Sequence, residues 1–311
     1  MRILVTGGNG FLGKHVLENF NLYQNITVLS PSSKELDLTD LSSVMTYFEY
    51  QRPDKVLHMS AICGGILANK NSPADFLHLN VKMASNIFDA VYKYNTKYIY
   101  TLGSVCAYPK YCPVPFNEND IWNGYPEETN APYGMAKRFQ LSMQQAFRQQ
   151  YGVKGAHFIP VNMYGEEDHF DLTNSHVIPA LIRKFIAAID INDSEVYCWG
   201  TGEATREFLY AGDCAELLTQ AVIDEFDTDL PINVGTGKSI SIKELAETIG
   251  RLCGFKGKIV FTGEVSDGQP KRQLNVSRAK QQLGFEAKTA LITGLVRTIS
   301  WYQENKHLLK D

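Results

Sequence analysis

Short runs of apolar residues alternate, along the first half of the chain, with longer stretches in which apolar positions recur every three or four residues. Residues 2–6, 26–30, 55–59, 98–102 and 155–161 are nearly continuous apolar runs, which predicts strands covered on both faces. Between them, residues 10–20, 41–51, 74–94 and 132–151 carry the period of amphipathic helices. Asp40 stands where it can cap the second of these. Strand and helix in turn at these lengths predict right-handed βαβ units and a mostly parallel sheet. After residue 164 the rhythm breaks. Residues 165–175 are polar and aromatic, and helices are expected at 177–189, 213–224, 242–253 and 291–305. A strand at 195–199 leads into a turn at 200–203.

The first strand and first helix are joined by Thr6-Gly7-Gly8-Asn9-Gly10-Phe11-Leu12-Gly13. Gly8-x-Gly10-x-x-Gly13 fits the dinucleotide fingerprint, and Gly7-x-x-Gly10-x-x-Gly13 its close variant. Such glycines allow a tight turn and a close approach to a pyrophosphate, while the helix start supplies free N–H groups and a positive dipole. The expected fold class is therefore α/β: a Rossmann-type, doubly wound parallel sheet with a smaller C-terminal substrate-binding lobe. The sheet domain is expected over 1–164 plus about 195–220, and the lobe over about 165–194 and 221–311.

Composition narrows the class. In 311 residues, 44% are hydrophobic and 21% charged, which excludes disordered and low-complexity chains. A net charge of −4 argues against a nucleic-acid partner held by a basic surface. No run reaches the roughly 18 apolar residues of a membrane helix. The apolar start, Met1-Arg2-Ile3-Leu4-Val5, meets its glycine turn too soon for a signal peptide. The six cysteines contain no Cys-x-x-Cys pair and read as reduced thiols, so a cytoplasmic location is expected.

An NAD site usually places a carboxylate at the end of the second strand to take the ribose diol. This chain has Ser30-Pro31-Ser32-Ser33-Lys34 there, and no carboxylate before Glu35. Hydroxyls and a lysine suit a 2′-phosphate, which favours NADPH. Tyr133-x-x-x-Lys137 opens a predicted helix, with both side chains on one face. An ammonium group beside the tyrosine is expected to make it more acidic than its reference value of about 10. It can then shuttle a proton on a sugar oxygen while a nicotinamide moves hydride. Ser104 follows the fourth strand at its carboxyl end, where α/β sheets place ligands.

Together these features resemble the extended short-chain dehydrogenase/reductase superfamily over essentially the whole chain. Four segments resemble the GDP-L-fucose synthase family more narrowly: Gly64-Gly65-Ile66-Leu67-Ala68-Asn69, Gly103-Ser104-Val105-Cys106-Ala107-Tyr108-Pro109, Glu128-Thr129-Asn130-Ala131-Pro132-Tyr133 and Ser175-His176-Val177-Ile178-Pro179-Ala180-Leu181-Ile182-Arg183. That resemblance implies a GDP-linked 4-keto sugar as substrate. In that family GDP-4-keto-6-deoxy-D-mannose is epimerised at C3 and C5 and reduced at C4 with NADPH to GDP-L-fucose, and the resemblance implies the same reaction here. Ser104, Tyr133 and Lys137 match the reductase triad, and Cys106 and His176 the pair that moves protons. The types suit the task, because the C4 ketone acidifies the neighbouring C–H bonds, and a thiolate and an imidazole can remove and return those protons.

The same resemblance assigns Gly7, Gly10, Phe11, Leu12, Gly13, Asp37, Leu38, Ser60, Tyr133, Lys137 and Asn162 to the cofactor. It assigns Arg183, Trp199 and Arg206 to the GDP-sugar, where arginine forks suit the diphosphate. Lys184 and Arg138 are expected on solvated faces. Asp168, His169 and His176 match no standard metal spacing, and no metal is expected. The family commonly forms dimers, here through 74–94 and 132–151. The loop between Cys106 and Tyr133 and the segment 166–173 depart from the family pattern, which leaves room for a C4 reductase acting on another GDP-4-keto sugar, such as a heptose. The rival from another class is a non-catalytic, nucleotide-sensing Rossmann protein, against which the intact Tyr133–Lys137 pair and Ser104 weigh.

Overall fold

Alternate side chains of the first strand, β1 (Arg2–Thr6), leave the sheet in opposite directions, and both sets are buried. Ile3 and Val5 join one hydrophobic cluster and Leu4 another. The same alternation holds at β3 (Lys55–His58) and β4 (Tyr98–Leu102), whose Val56 and Ile99 lie on the Leu4 side and whose Leu57 and Tyr100 lie on the Ile3 side. Such strands need helices on both faces. In the computed structural model, which describes residues 1–171, 175–263 and 268–309, the helices are there.

With β2 (Thr27–Leu29), β5 (Lys154–Pro160) and β9 (Ile232–Val234), these strands form a six-stranded sheet in the order β2-β1-β3-β4-β5-β9, parallel throughout. Helices α1 (Phe11–Phe20) and α7 (Ala211–Ile223) cover one face. Helices α2 (Leu41–Gln51) and α4 (Pro73–Lys93) cover the other, with α5 (Ala131–Tyr151) packed beside α4 and the short α3 (Ile66–Asn71) leading into it. Asp40 caps α2 as expected, accepting from Ser42 N at 3.1 Å and Ser43 N at 3.2 Å. The chain runs outward from β1 to β2 and then returns to β3 on the other side of β1. The carboxyl ends of β1 and β3 therefore flank a topological switch point, where open α/β sheets bind ligands.

A second core lies beyond β5. There β6 (Asn162–Tyr164) pairs in parallel with β8 (Thr205–Tyr210), which pairs antiparallel with β10 (Ser239–Ser241). Phe185 of α6 (Val177–Asp190), Ile249 of α8 (Ile242–Cys253) and Leu295 of α10 (Leu291–Asn305) close this core. Helix α9 (Ser277–Leu283) packs back onto β9.

Two expected boundaries are corrected. The strand β7 (Glu195–Cys198) was expected to return to the large sheet, but it pairs in parallel with β11 (Lys258–Phe261), in the lobe. Conversely, β9 lies in the stretch expected for the lobe and is the sixth strand of the large sheet. Three- and four-residue strands take their partner from long-range register, which local periodicity does not carry. Of the polar stretch 165–175, Leu172, Thr173 and Asn174 lie outside the described residues.

Candidate active site

The glycine turn is built to approach something closely. A Cβ at Gly13 would lie 2.1 Å from Gly7 O and 2.5 Å from Gly8 Cα, so only glycine lets α1 start against its own turn. Gly10 is the N-cap and has no side chain with which to cap the first-turn N–H groups. Ser60, after β3, lies beside Gly7, whose φ of 77° itself favours glycine. Ser30 Oγ, at the end of β2, is buried without a hydrogen-bond partner against Gly8. An uncapped helix start, a tight glycine cradle and an orphan hydroxyl together fit a dinucleotide pyrophosphate and its ribose.

The named cofactor residues differ in what they can offer. Leu12 and Leu38 turn their side chains into the core and leave only backbone for a ligand. Asp37 is exposed, and its carboxylate accepts from Thr39 N and Oγ1 at 2.8 and 2.7 Å, which holds it below the usual carboxylate range. In the specificity loop, Ser32 N and Oγ both donate to Glu35 at 2.8 Å. Of the residues expected to receive a 2′-phosphate, Ser33 and Lys34 remain exposed.

The chemistry gathers where β4 ends. Ser104 caps a single 3₁₀ turn, Val105–Ala107, and its Oγ accepts from Cys106 N at 3.2 Å. The helix α5 presses its first turn onto this segment. A Cβ at Gly134 would lie 2.4 Å from Cys106 O, so the glycine after Tyr133 allows the tyrosine to reach Ser104. Lys137, one turn on, is buried and donates to Leu102 O at 2.8 Å, its Nζ standing 5.7 Å from the centre of the Tyr133 ring.

Here the sequence expectation for Tyr133 is corrected. Its phenol is held well above the ordinary value, because it is taken out of water beside Cys63 and Cys106. The hydrogen bond with Ser104 pulls the other way without prevailing. The Lys137 ammonium is committed to a backbone carbonyl and is itself lowered by burial to about 8. A phenol so held is fully protonated at neutral pH, which is the form that donates.

A cavity of about 270 Å³ opens over this turn, and Cys106, His176 and Asn162 all face it. His176 is the N-cap of α6. It is open to the cavity but walled by protein, and desolvation, with His169 nearby, keeps its imidazole below the ordinary range. Asp168, buried in the same segment, is raised to about 7 by desolvation, opposed by the His169 N–H at 2.7 Å. Among the described residues no group of three His, Cys, Asp or Glu is placed to hold a metal.

The basic wall is not the one expected. Arg206 and Trp199 line the cavity, but Arg183 donates to Phe170 O at 3.1 Å and is not part of its lining. Lys184, expected on a solvated face, lines it instead, with Nζ bonded to Tyr197 O at 2.8 Å and 4.9 Å from the Trp199 ring centre. Helical phase explains the exchange. Val177, Ala180, Leu181 and Lys184 recur at i, i+3, i+4 and i+7 and share the cavity face, and Arg183 lies about 100° round from Lys184. Arg138, also expected in solvent, is buried and pins the loop before α5 through Ala107 O at 2.6 Å and Gly124 O at 2.8 Å. Arg272 is a third cavity-lining cation and carried no motif signal in the sequence.

Residues 3–235 match the NAD dependent epimerase/dehydratase family. The chain is 38% identical over 305 residues to a probable GDP-L-fucose synthase 1 of Oryza sativa subsp. japonica, covering 98% of this chain and 92% of that one. Among solved structures, a GDP-L-fucose synthetase of Naegleria fowleri bound to NADP aligns with a TM-score of 0.89 at 27% identity, covering 100% of this chain and 96% of that one. A GDP-6-OMe-4-keto-L-xylo-heptose reductase of C. jejuni aligns with a TM-score of 0.90 at 26% identity, covering 98% of each chain.

Proposed function

The chain belongs to the NAD dependent epimerase/dehydratase family, and from that premise we propose that it converts GDP-4-keto-6-deoxy-D-mannose to GDP-L-fucose with NADPH. One observation carries the reading: a single cavity brings Cys106 and His176 together with a wall of Lys184, Arg206 and Arg272, directly over the turn that joins Ser104 to Tyr133. Reduction at C4 alone uses Ser104, Tyr133 and the cationic wall, and has no use for Cys106 and His176.

The backbone of Gly7–Gly13 at the uncapped start of α1 would hold the cofactor, with Ser60 and Lys137 as further contacts. Bound there, NADPH supplies a hydride. Everything else comes from the chain. Tyr133, kept protonated by its surroundings, donates to the C4 oxygen, and Ser104 orients that oxygen by a hydrogen bond. The ketone makes the protons at C3 and C5 removable, and Cys106 and His176 take and return them. Lys184 and Arg206 hold the diphosphate of GDP, with the Trp199 indole at the rim. The six cysteines are all unpaired, as a reducing cytoplasm would keep them, and no helix among the described residues is long and apolar enough to cross a membrane. We place a second copy of the chain on the outer face of α4 and α5, where Leu77, Tyr92 and Tyr151 are exposed.

The test needs no hydride. Incubated without NADPH in deuterated water, the protein should exchange the C3 and C5 protons of the 4-keto sugar, and Cys106→Ser should lose that exchange. The likeness to the heptose reductase favours a second reading, a C4 reductase on another GDP-4-keto sugar. Reduction of such a sugar by a wild-type protein that shows no exchange would establish that reading and overturn the first.

A further inference from the structure

We infer that Glu207 is a positioning residue of the substrate site: its buried carboxylate fixes Arg272 relative to Arg206, so that the two cations meet one diphosphate. The inference rests on the proposed function for the identity of that anion. Arg206 and Phe208 of β8 line the cavity, and Glu207 between them leaves the strand on the opposite face. It is 1% exposed. Its Oε1 accepts from Thr236 N at 2.6 Å, Gly237 N at 2.7 Å and Thr236 Oγ1 at 3.4 Å. Its Oε2 accepts from Leu274 N at 2.7 Å. The turn leaves room for it, since a Cβ at Gly235 would lie 2.2 Å from Oε1. One carboxylate thus ties β8 to two separate segments, the second of which carries Arg272.

The register of β8 shows why a side chain is needed there. Residues 270–272 run in parallel beside the start of β8: Thr205 N donates to Pro270 O at 2.9 Å, and Arg272 N to Thr205 O at 3.2 Å. The other edge of β8 is taken by β10, and from Phe208 onward β6 occupies the edge that 270–272 used. The segment must therefore leave the strand just past Arg272. Glu207 Oε2 catches it two residues on, in place of a backbone acceptor. Phe116 pairs with the same segment from elsewhere, donating to Gln273 O at 2.8 Å and accepting from Asn275 N at 2.9 Å, so losing the carboxylate should loosen Arg272 without releasing it. Among the described residues no cation lies within ion-pair distance of Glu207, so hydrogen bonds alone offset the cost of burying its charge. Arg272 is buried in the cavity wall, and among the described residues no carboxylate lies within ion-pair distance of it. A guanidinium so placed suits an anion entering the cavity, and two cations serve one diphosphate only while their separation is held.

The experiment is a double-mutant cycle read by calorimetric titration with GDP, with NADPH binding followed by fluorescence as the control. Arg272→Gln should weaken GDP by roughly 10- to 100-fold, the value of a charge-assisted hydrogen bond. Glu207→Gln keeps one acceptor oxygen for the 236–237 turn and sets its amide N–H against Leu274 N–H. It should weaken GDP by roughly 3- to 10-fold, a coupling of ordinary size, and leave NADPH close to wild type. In the Arg272→Gln background the same change should cost almost nothing further, because the cation it positions is gone. Gly235→Ala, whose new methyl pushes on Oε1, should weaken GDP in the same direction and serves if Glu207→Gln does not fold. Unchanged GDP affinity in a folded Glu207 or Gly235 variant, no loss in Arg272→Gln, or losses that add in full would each overturn the inference. A wild-type protein that binds NADPH but not GDP would overturn the proposed function itself, and this inference with it.

Discussion

Two histidines lie directly beneath the catalytic turn, and they make a prediction about acid stability that can be worked through from the structure. His58 on β3 and His157 on β5 flank Thr101 of β4 in register, and both are almost fully buried, at 1% and 3% exposure. Each shares its Nδ1 with a threonine hydroxyl: His58 with Thr6 at 2.7 Å, His157 with Thr101 at 2.8 Å. Burial, and then the Lys137 charge, lowers each imidazole from 6.5 to about 3. Both are neutral in the native state and free to protonate once unfolded. The unfolded chain therefore binds more protons between pH 6.5 and 3, so stability is complete above 6.5 and is lost as pH falls through that window. Each histidine should contribute a slope of about 1.4 kcal/mol per pH unit near pH 5, and about 2 kcal/mol lost at that pH. Asp168 and Glu207, both raised by burial, act in the opposite sense, but they are common to wild type and variant. The assay is urea unfolding between pH 8 and 4.5 for wild type, His58→Asn and His157→Asn, since an asparagine amide can keep the hydrogen bond to the threonine. Either variant will lose some stability at every pH from the space it leaves. The diagnostic quantity is the slope, which should be shallower by about 1.4 kcal/mol per pH unit in each single variant and by twice that in the double. Parallel curves for wild type and variants would refute the argument, and would mean that these imidazoles already exchange protons with water in the folded protein.

Tyr133→Phe should lower turnover by roughly 10²–10⁴-fold while fluorescence titration shows NADPH binding close to wild type, because the hydroxyl is the C4 proton donor and the ring remains. Lys184→Ala should raise KM for the GDP-sugar by roughly 10- to 100-fold, the value of a charge-assisted hydrogen bond. Arg183→Ala should leave KM within a few-fold and act instead on stability, through the lost bond to Phe170 O. Steady-state kinetics with the two variants side by side decides this, and equal KM effects would mean that helical phase does not separate the two cations.

Local pattern alone was enough for the large sheet's first five strands and the helices between them, since a strand covered on both faces and a helix covered on one have different periods. It was also enough for the glycine turn, whose spacing answers a backbone need. Ser104, Cys106, Tyr133, Lys137 and His176 were named instead by the family resemblance, and the fold sets the first four around the end of β4, with Cys106 and His176 lining one cavity. What local pattern could not determine was anything set by contacts between distant segments. The partner of β7 and the place of β9 depend on register across the whole chain. The ionisation of Tyr133 depends on how much water the folded site excludes, which outweighs the neighbour four residues away that the sequence makes visible. Arg183 and Lys184 are adjacent in sequence, yet only the seating of α6 on the lobe decides which of them faces the cavity. Arg272 is the extreme case. Its contact with Cys106 joins residues 166 positions apart, and the glutamine that holds its Nε is itself tied to Pro109 O and Lys110 O just beyond Cys106, an arrangement that exists only once the chain has folded.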